Sequence, residues 1–451
     1  MLEGVIFLII WALLPFFWHF LMKTAGMSLF RLSIPSGVIA AFYAFAYVGI
    51  PILYFHLDEY RAQFVTDRSL ILQVFIFTTI TVTLMLVGCV IARHHFGRLS
   101  WLGSLDSMPW TIEIAGPRQT LGLLFILLTC IYVLFIYLSK IGLQHVALLV
   151  SLGYGSEIGV DVARSAMTNA FEGKYHWYSL FMHDLLSFAT LALFAGYLVK
   201  QRTVVRILFF VALIVTMFSL LMTGEKAPFA RFLVALFFVY VFVRRGGRVP
   251  IGGLVTLGLT IVLGLSASYI MFMGSKDLLA GVMNVFSRAT GGTIQSAYHY
   301  LEFIPKFQDY LMGRSFPNPR GILPFEHFAL TKEIMAWRNP DQIIKGVVGS
   351  SPTTYWAEMY ANFGLLGVLV PPFFVGYALY LLNALVFKLQ PSPLSIALIV
   401  WLIMHMMTLS ETSLSNFFLD ISMWGIILTF GALSFFVGRG VIRIRNTKLL
   451  T

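Results

Sequence analysis

Charge is scarce in this sequence. Of its 451 residues only 11% are charged and 59% are hydrophobic, and the mean hydropathy is +0.85. A soluble globular domain carries about 25% charged residues. A chain this poor in charge cannot cover a water-facing surface, so its apolar faces must meet lipid. That excludes a soluble enzyme, a disordered chain and a nucleic-acid module, despite a net charge of +11. Cysteine is nearly absent too. Cys89 and Cys130 both lie in apolar runs, which excludes a disulfide framework and a CxxC metal site. They are expected to be small buried side chains. Also missing are HExxH, GxSxG, a P-loop, paired histidines at metal-ligand spacing, any internal repeat and any soluble appendage. His176, His183 and Asp184 are near neighbours, and interfacial placement accounts for them without a metal. His405 is expected to be a buried, hydrogen-bonded side chain. Residues 1–22 lack a basic leader and a small-residue cleavage site, so they read as a span rather than a secretory signal.

What the chain does have is long apolar runs. About 20 such residues cross a bilayer as a helix, and the runs do not alternate with period two as barrel strands would. Eleven spans are expected, near 4–22, 35–56, 70–92, 119–139, 178–199, 205–222, 227–243, 250–272, 361–387, 394–412 and 419–438. The fold class is therefore all-α, a polytopic membrane helix bundle. Orientation follows from Lys and Arg in short loops. The connections holding Lys23 and Arg31, Arg93 to Arg118, Lys200 to Arg206, Arg244 to Arg248, Lys388 and the tail from Arg439 carry sixteen positive residues against only Asp106 and Glu113. Those loops are expected inside, which puts the N-terminus outside and the C-terminus inside.

This arrangement divides the chain into residues 1–272, with eight spans and a small external loop near 140–177, a large external loop at 273–360, and residues 361–451, with three spans and a basic tail. Loops this long inside a compact protein are usually functional. Within the large loop, helical spacing of Leu279, Val282, Met283, Phe286 and Ile294 predicts a helix over 278–303. A second helix is expected at about 326–337. A third is expected to be capped by Ser351-Pro352-Thr353 and to run through Glu358 into the ninth span, with Pro352 in its first position.

Several charges sit where charge is costly. Glu225 and Lys226 cap an outward hairpin between two short spans, and Arg231 lies one turn inside the next span. A charge there must face an interior, a cavity or the interface, or snorkel to the surface. Arg288 follows the eighth span on the loop helix. Glu358 precedes the ninth, where a helix N-terminus also favours an acid. Together they describe a basic outward-facing cavity that suits a phosphate or pyrophosphate, since Arg matches phosphate oxygens with paired bonds and Lys adds a point charge.

The run Ser351-Pro352-Thr353-Thr354-Tyr355-Trp356-Ala357-Glu358-Met359-Tyr360-Ala361-Asn362-Phe363-Gly364-Leu365-Leu366-Gly367 resembles the PTxxxExYxNFGxxG signature of bacterial oligosaccharide repeat-unit polymerases, the Wzy-type O-antigen and exopolysaccharide polymerases. Thr223-Gly224-Glu225-Lys226 through Arg231 is similar to that family's TGxR hairpin, with Lys226 where Arg is usual. Arg288, Tyr300, Pro305, Gly313 and Pro324 match its loop pattern, and the enterobacterial common antigen polymerase has a similar layout.

The resemblance implies a GT-C-like membrane glycosyltransferase working on undecaprenyl-diphosphate-linked oligosaccharides at the periplasmic face of the bacterial inner membrane. A chain-length-regulating co-polymerase is the partner implied, besides the lipid bilayer. No cofactor, metal or nucleic acid enters the scheme. The implied diphosphate cations are Arg288, Lys226, Arg231 and Arg164, with Arg314 and Arg320 behind them. The departing diphosphate gains charge, so cations belong there. Glu358, then His327, are the expected bases for the acceptor hydroxyl. Trp337, Tyr355, Trp356 and Tyr360 are expected to stack on sugars, although such rings also populate membrane interfaces. The competing readings are an O-antigen ligase and a lipid-linked oligosaccharide flippase or transporter. The sequence lacks the inverted repeats and paired broken helices usual in transporters.

Overall fold

The computed structural model describes residues 2–97, 112, 116–154, 159–168, 171, 174–200, 202–273, 277–341, 349–418 and 420–437. Among them there is no strand, and nine helices are long and apolar enough to cross a membrane. These are Leu2–Thr24, Ile34–Tyr54, Arg68–Gly97, Pro117–Ile141, Tyr175–Val199, Thr203–Leu221, Lys226–Arg245, Leu365–Val386 and Pro393–Ser410. Two shorter apolar helices, Ile251–Ala267 and Ile421–Val437, occupy the remaining expected places. The basic tail after residue 437, and Arg98, Asp106 and Glu113, lie outside the described residues.

Compactness divides the chain differently from linear order. One unit gathers Met1–Ser104, Met283–Ala384 and His405–Leu419, and the other Leu105–Val282, Leu385–Met404 and Asp420–Thr451. Most of the large loop is thus part of the first unit's body. Its helices Leu278–Phe286 and Gly292–Phe303 flank a wider π turn at Ser287–Gly291, inside the expected 278–303 range. The next helix, Leu330–Arg338, starts four residues later than expected.

The helix through Glu358 departs more from expectation. It spans Tyr355–Phe363 with Thr354 as its N-cap, so Pro352 lies before the helix rather than in its first position. It does not run on into the ninth span. Gly364 breaks it at φ +59°, and short Leu365–Leu369 and then Pro371–Val386 follow. A left-handed residue between apolar segments is natural for glycine, which has no Cβ to clash.

Inside the first unit, two spans touch backbone to backbone. A Cβ on Gly376 would lie 1.9 Å from the Met85 carbonyl oxygen, and one on Gly88 would lie 2.2 Å from that of Phe373. Small residues permit such close crossings in lipid, where packing rather than water drives helix association. Cys89 belongs to this crossing, its thiol donating to the Gly376 carbonyl at 3.2 Å. The aromatic core includes Trp18, Phe42, Tyr47, Tyr298, Tyr300, Tyr355 and Trp356, all nearly sealed from solvent.

Contacts within this unit also sort its connections by end. Arg93 reaches the carbonyls of Lys23 and Thr24. At other junctions Arg61 bonds Ser287, the Asp67 amide bonds Tyr298, and Glu358 bonds Ser415. Each contact joins segments that the alternation of spans assigns to the same side.

In the second unit, Tyr175–Val199 packs on Thr203–Leu221 and Lys226–Arg245, and Pro117–Ile141 packs on Ile421–Val437. The buried Thr190 and Thr216 hydroxyls pair at 2.8 Å. A second cluster under the small loop joins Leu134, Tyr137, Ala147, Ala163, Met167, Met182 and Met222.

Candidate functional site

The expected site residues fall into two groups, one in each unit. In the second unit the hairpin between Thr203–Leu221 and Lys226–Arg245 closes through Gly224, at φ +71°. Beside it lies a cavity of about 280 Å³, walled by Ala147, Leu148, Val160, Leu221, Phe229, Leu233, Ile261 and Leu265 and containing Glu225 and Lys226. Arg164, on the Val160–Met167 helix, meets Glu225 with Nη2 3.5 Å from Oε1, at 44% and 35% side-chain exposure. The charged end therefore holds two cations and one acid, a net charge of about +1. It also faces the first turn of the Lys226–Arg245 helix, whose N-cap Glu225 makes no side-chain cap bond. The amides of that turn add partial positive charge. Arg231 is exposed and is not part of the cavity wall, so of the two interior candidates on this helix only Lys226 lines it.

In the first unit, Arg288 is exposed on the Ser287–Gly291 π turn. Arg314 is also exposed, its Nε donating to the Leu311 carbonyl at 3.3 Å. Arg320 lies on the Pro319–Gly321 turn, and its side chain is outside the described part of the structure. His327 is exposed, with Nδ1 3.0 Å from the Phe316 carbonyl. A carbonyl only accepts, so neutral His327 carries its proton on Nδ1 and presents Nε2 as an unprotonated base.

Glu358 is not the exposed helix-end acid that the sequence leads one to expect. It is 4% exposed. Its carboxylate accepts from the Ser315 hydroxyl at 3.1 Å, from the Ser415 amide at 3.2 Å and from the Ser415 hydroxyl. Burial raises its pKa above the usual carboxylate value, and these hydrogen bonds pull the other way. Asn362, one turn later on the same face, donates to Ser315 Oγ at 2.7 Å and accepts from the Gly313 amide at 2.9 Å. Glu358 and Asn362 thus fasten the 311–315 segment to the helix, and Glu358 fastens the short Leu414–Phe418 helix as well. Glu358 is thus the more enclosed of the two expected bases, and His327 the more open.

Two of the four expected sugar platforms are likewise corrected. Tyr355 and Trp356 are each 0% exposed. Tyr355 packs edge-on to Phe42 and Trp356 edge-on to Phe77. No ring face remains for a sugar. Tyr360 is 7% exposed, and Tyr310 lies 3.4 Å away hydroxyl to hydroxyl. Trp337 alone keeps partial exposure, at the edge of a cluster with His299, Phe303 and Phe307.

Sequence reasoning passed over Ser315 and Ser415, which carry no local signal. It also passed over Arg61, although a charge between two apolar runs was a visible cue. Asn362 stood inside the quoted run, and its spacing of four from Glu358 already put both on one helix face. Asp184, on the π turn Leu180–Leu185 of its span, accepts from the Ser422 hydroxyl at 2.7 Å. Among the described residues no three or more His, Cys, Asp or Glu side chains are placed to hold a metal ion. No protein-family model, curated protein or solved structure matches the chain.

Proposed function

We propose that this protein is a membrane glycosyltransferase that polymerises undecaprenyl-diphosphate-linked oligosaccharide repeat units at the outer face of the bacterial inner membrane. The resemblance of residues 351–367 and 223–231 to repeat-unit polymerases supplies the reaction class. The observation that carries the reading is the cavity beside Lys226. Its walls are mostly apolar, interrupted by Ser151 and Thr260, and it holds Glu225 and Lys226, with Arg164 reaching Glu225 from outside. An isoprenoid diphosphate has the same division, a long hydrocarbon followed by phosphates. Apolar walls favour the chain at about 25 cal/mol per Å² of surface removed from water. The ammonium, the guanidinium and the helix amides favour the head.

In this scheme a hydroxyl of the incoming unit attacks the anomeric carbon of the first sugar of the growing chain. The new glycosidic C–O bond forms as the anomeric C–O bond to diphosphate breaks. Undecaprenyl diphosphate leaves with the bonding pair. In the first unit the candidate for taking the hydroxyl proton is His327 Nε2, in place of Glu358. Each unit carries its own candidate for steadying the charge that develops on the leaving diphosphate, Arg288 in the first and Lys226 in the second, since pre-placed cations act most strongly there. Trp337 offers the remaining partly open aromatic face.

The test is purified full-length protein in nanodiscs with a defined lipid-linked repeat unit. A ladder of integer multiples is expected, equally in the presence of EDTA, and it should be lost in Lys226→Ala and restored in part in Lys226→Arg. No ladder from the wild type rejects polymerisation. Transfer to a different lipid acceptor points to a ligase, and relocation of intact units without bond formation points to a flippase.

A further inference from the structure

Arg61 is a charged residue between two apolar helices, and it is 5% exposed. Taking a guanidinium out of water costs several kcal/mol unless its donors are met. Here they are met on one side by Asp58 and on the other by the segment around Arg288. Asp58 Oδ2 lies 3.5 Å from Arg61 Nε, and Asp58 Oδ1 accepts from the Arg61 amide at 3.2 Å. Arg61 Nε also donates to the carbonyl and to the hydroxyl of Ser287, both at 2.9 Å, and Nη1 donates to Gln295 Oε1. One planar fork therefore grips residue 287, next to Arg288, and residue 295, further along the same helix.

The chain between those two grips is shaped to receive the fork. A Cβ on Gly291 would sit 2.6 Å from Arg61 Cδ. One on Gly292 would touch Arg288 Cδ at 3.5 Å and Arg61 Nη2 at 3.8 Å, so both arginines flank the same glycine. From the other side, Gly49 lets the Thr290 carbonyl approach to 1.9 Å of where its own Cβ would be. The turn itself is a π turn, a wider geometry that concentrates at functional sites. A buried cation, bare glycines on two elements and an irregular turn are thus combined around one exposed arginine.

We infer that Arg61 is a positioning residue for Arg288: its fork, anchored by Asp58, locks the Ser287–Gly291 turn so that the Arg288 guanidinium is held ready for an anionic ligand. The inference rests on the proposed function for the identity of that anion, a lipid-linked diphosphate. A well-packed apolar pair would hold two helices together at least as firmly as a buried ion pair does. What an apolar pair lacks is direction. Five donors in a fixed plane set where the backbone on either side of Arg288 must lie.

Two measurements test this. The first is independent of any activity. In the full-length protein, Arg288→Cys is labelled with a nitroxide, since Cys89 and Cys130 are buried. The label is expected to be restricted, and to gain a mobile component when Arg61→Lys, which keeps the charge but loses the fork, is added. Gln295→Leu should do the same to a smaller degree without stranding a buried charge. Identical spectra in all three backgrounds overturn the inference. The second measurement is turnover of the lipid-linked unit with Arg288 intact. Arg61→Lys is expected to lower kcat roughly 10–100-fold, the scale of a misplacement of about 1 Å, with KM little changed. An unchanged kcat overturns the inference. Failure of the wild type to polymerise anything rejects the proposed function alone, and the label spectra still decide the role of Arg61.

Discussion

Replacing Glu358 separates a structural carboxylate from a chemical one. Glu358→Ala removes the acceptor for the Ser415 amide, the Ser415 hydroxyl and the Ser315 hydroxyl. The Ser315 oxygen still accepts from Asn362, but its O–H loses its acceptor, as the Ser415 amide and hydroxyl do. Each buried donor left without a partner costs about 1–3 kcal/mol, and the small void adds to that, for a total of roughly 3–5 kcal/mol. Glu358→Gln keeps one carbonyl acceptor and removes a charge that burial disfavours, so a loss of only about 1 kcal/mol is expected. The assay is thermal unfolding in detergent, where Ala should fall about 3–5 °C below the wild type and Gln about 1 °C. Acidity gives a second reading. Burial raises the folded-state pKa of Glu358 above its value in the unfolded chain. The folded protein then binds the proton more tightly, so this group's contribution is fully present below the unfolded value and is lost as pH rises through the folded one. The wild type should therefore gain stability relative to Glu358→Gln on going from pH 8 towards pH 5. Equal stability of the Ala and Gln variants, or a gap that is flat or reversed with pH, refutes the argument. Full stability of Gln combined with a hundredfold loss of turnover would restore Glu358 as the base.

The close helix crossing predicts that Gly376→Ala is costly. Its Cβ would lie 1.9 Å from the Met85 carbonyl oxygen, whereas ordinary contact begins near 3.4 Å, so the helices must part by about 1.5 Å. Overpacking of this kind costs about 1–3 kcal/mol. Gly252→Ala, with nothing within 4 Å, should be neutral or stabilising, and equal midpoints for the two variants would contradict the crossing. Ala230→Phe should fill part of the 280 Å³ cavity, leaving the midpoint unchanged or higher while weakening binding of a fluorescent isoprenyl diphosphate by roughly 10-fold or more. Unaltered binding in a folded Ala230→Phe protein removes the cavity from the substrate path.

The fold was legible where physics acts locally. Twenty apolar residues in a row have few options in lipid, and nine of the expected spans are helices of adequate length. Hydropathy averages over breaks, however. It ran the Tyr355–Phe363 helix into the following span because Gly364 and the residues around Val370 are apolar on both sides. The site was legible only in part. Lys226 and Glu225 lie at the cavity because a hairpin tip brings its own neighbours with it. The state of Glu358 depends on partners 43 and 57 residues away, and no local pattern announces them. Tyr355 and Trp356 look the same in sequence whether they face a sugar or a core.

These corrections bear on what the 351–367 run does. Thr353 Oγ1 donates to the Thr293 carbonyl at 2.9 Å, Ser351 Oγ donates to Ser296 Oγ at 2.9 Å, and the Tyr300 hydroxyl donates to the Ser351 carbonyl at 3.2 Å. Each of these bonds joins the start of the run to the Gly292–Phe303 helix, the one that continues directly from the Arg288 turn. Glu358 and Asn362 join the middle of the run to residues 311–315 and 414–415. Gly367 lets the chain fold back, since a Cβ there would lie 2.0 Å from the Met359 carbonyl oxygen. The run therefore acts as a bracket in which Ser351, Thr353, Glu358 and Asn362 hold neighbouring segments, while the Thr354 and Tyr355 hydroxyls and the Trp356 indole N–H are buried without a hydrogen-bond partner. The charges free to meet an anion stand on the segments it holds, Arg288 and Arg314 among them, and His327 follows closely behind. A run of this kind shapes its surroundings by fixing the backbone of the segments that carry exposed charge, while its own Thr353, Glu358 and Asn362 stay buried.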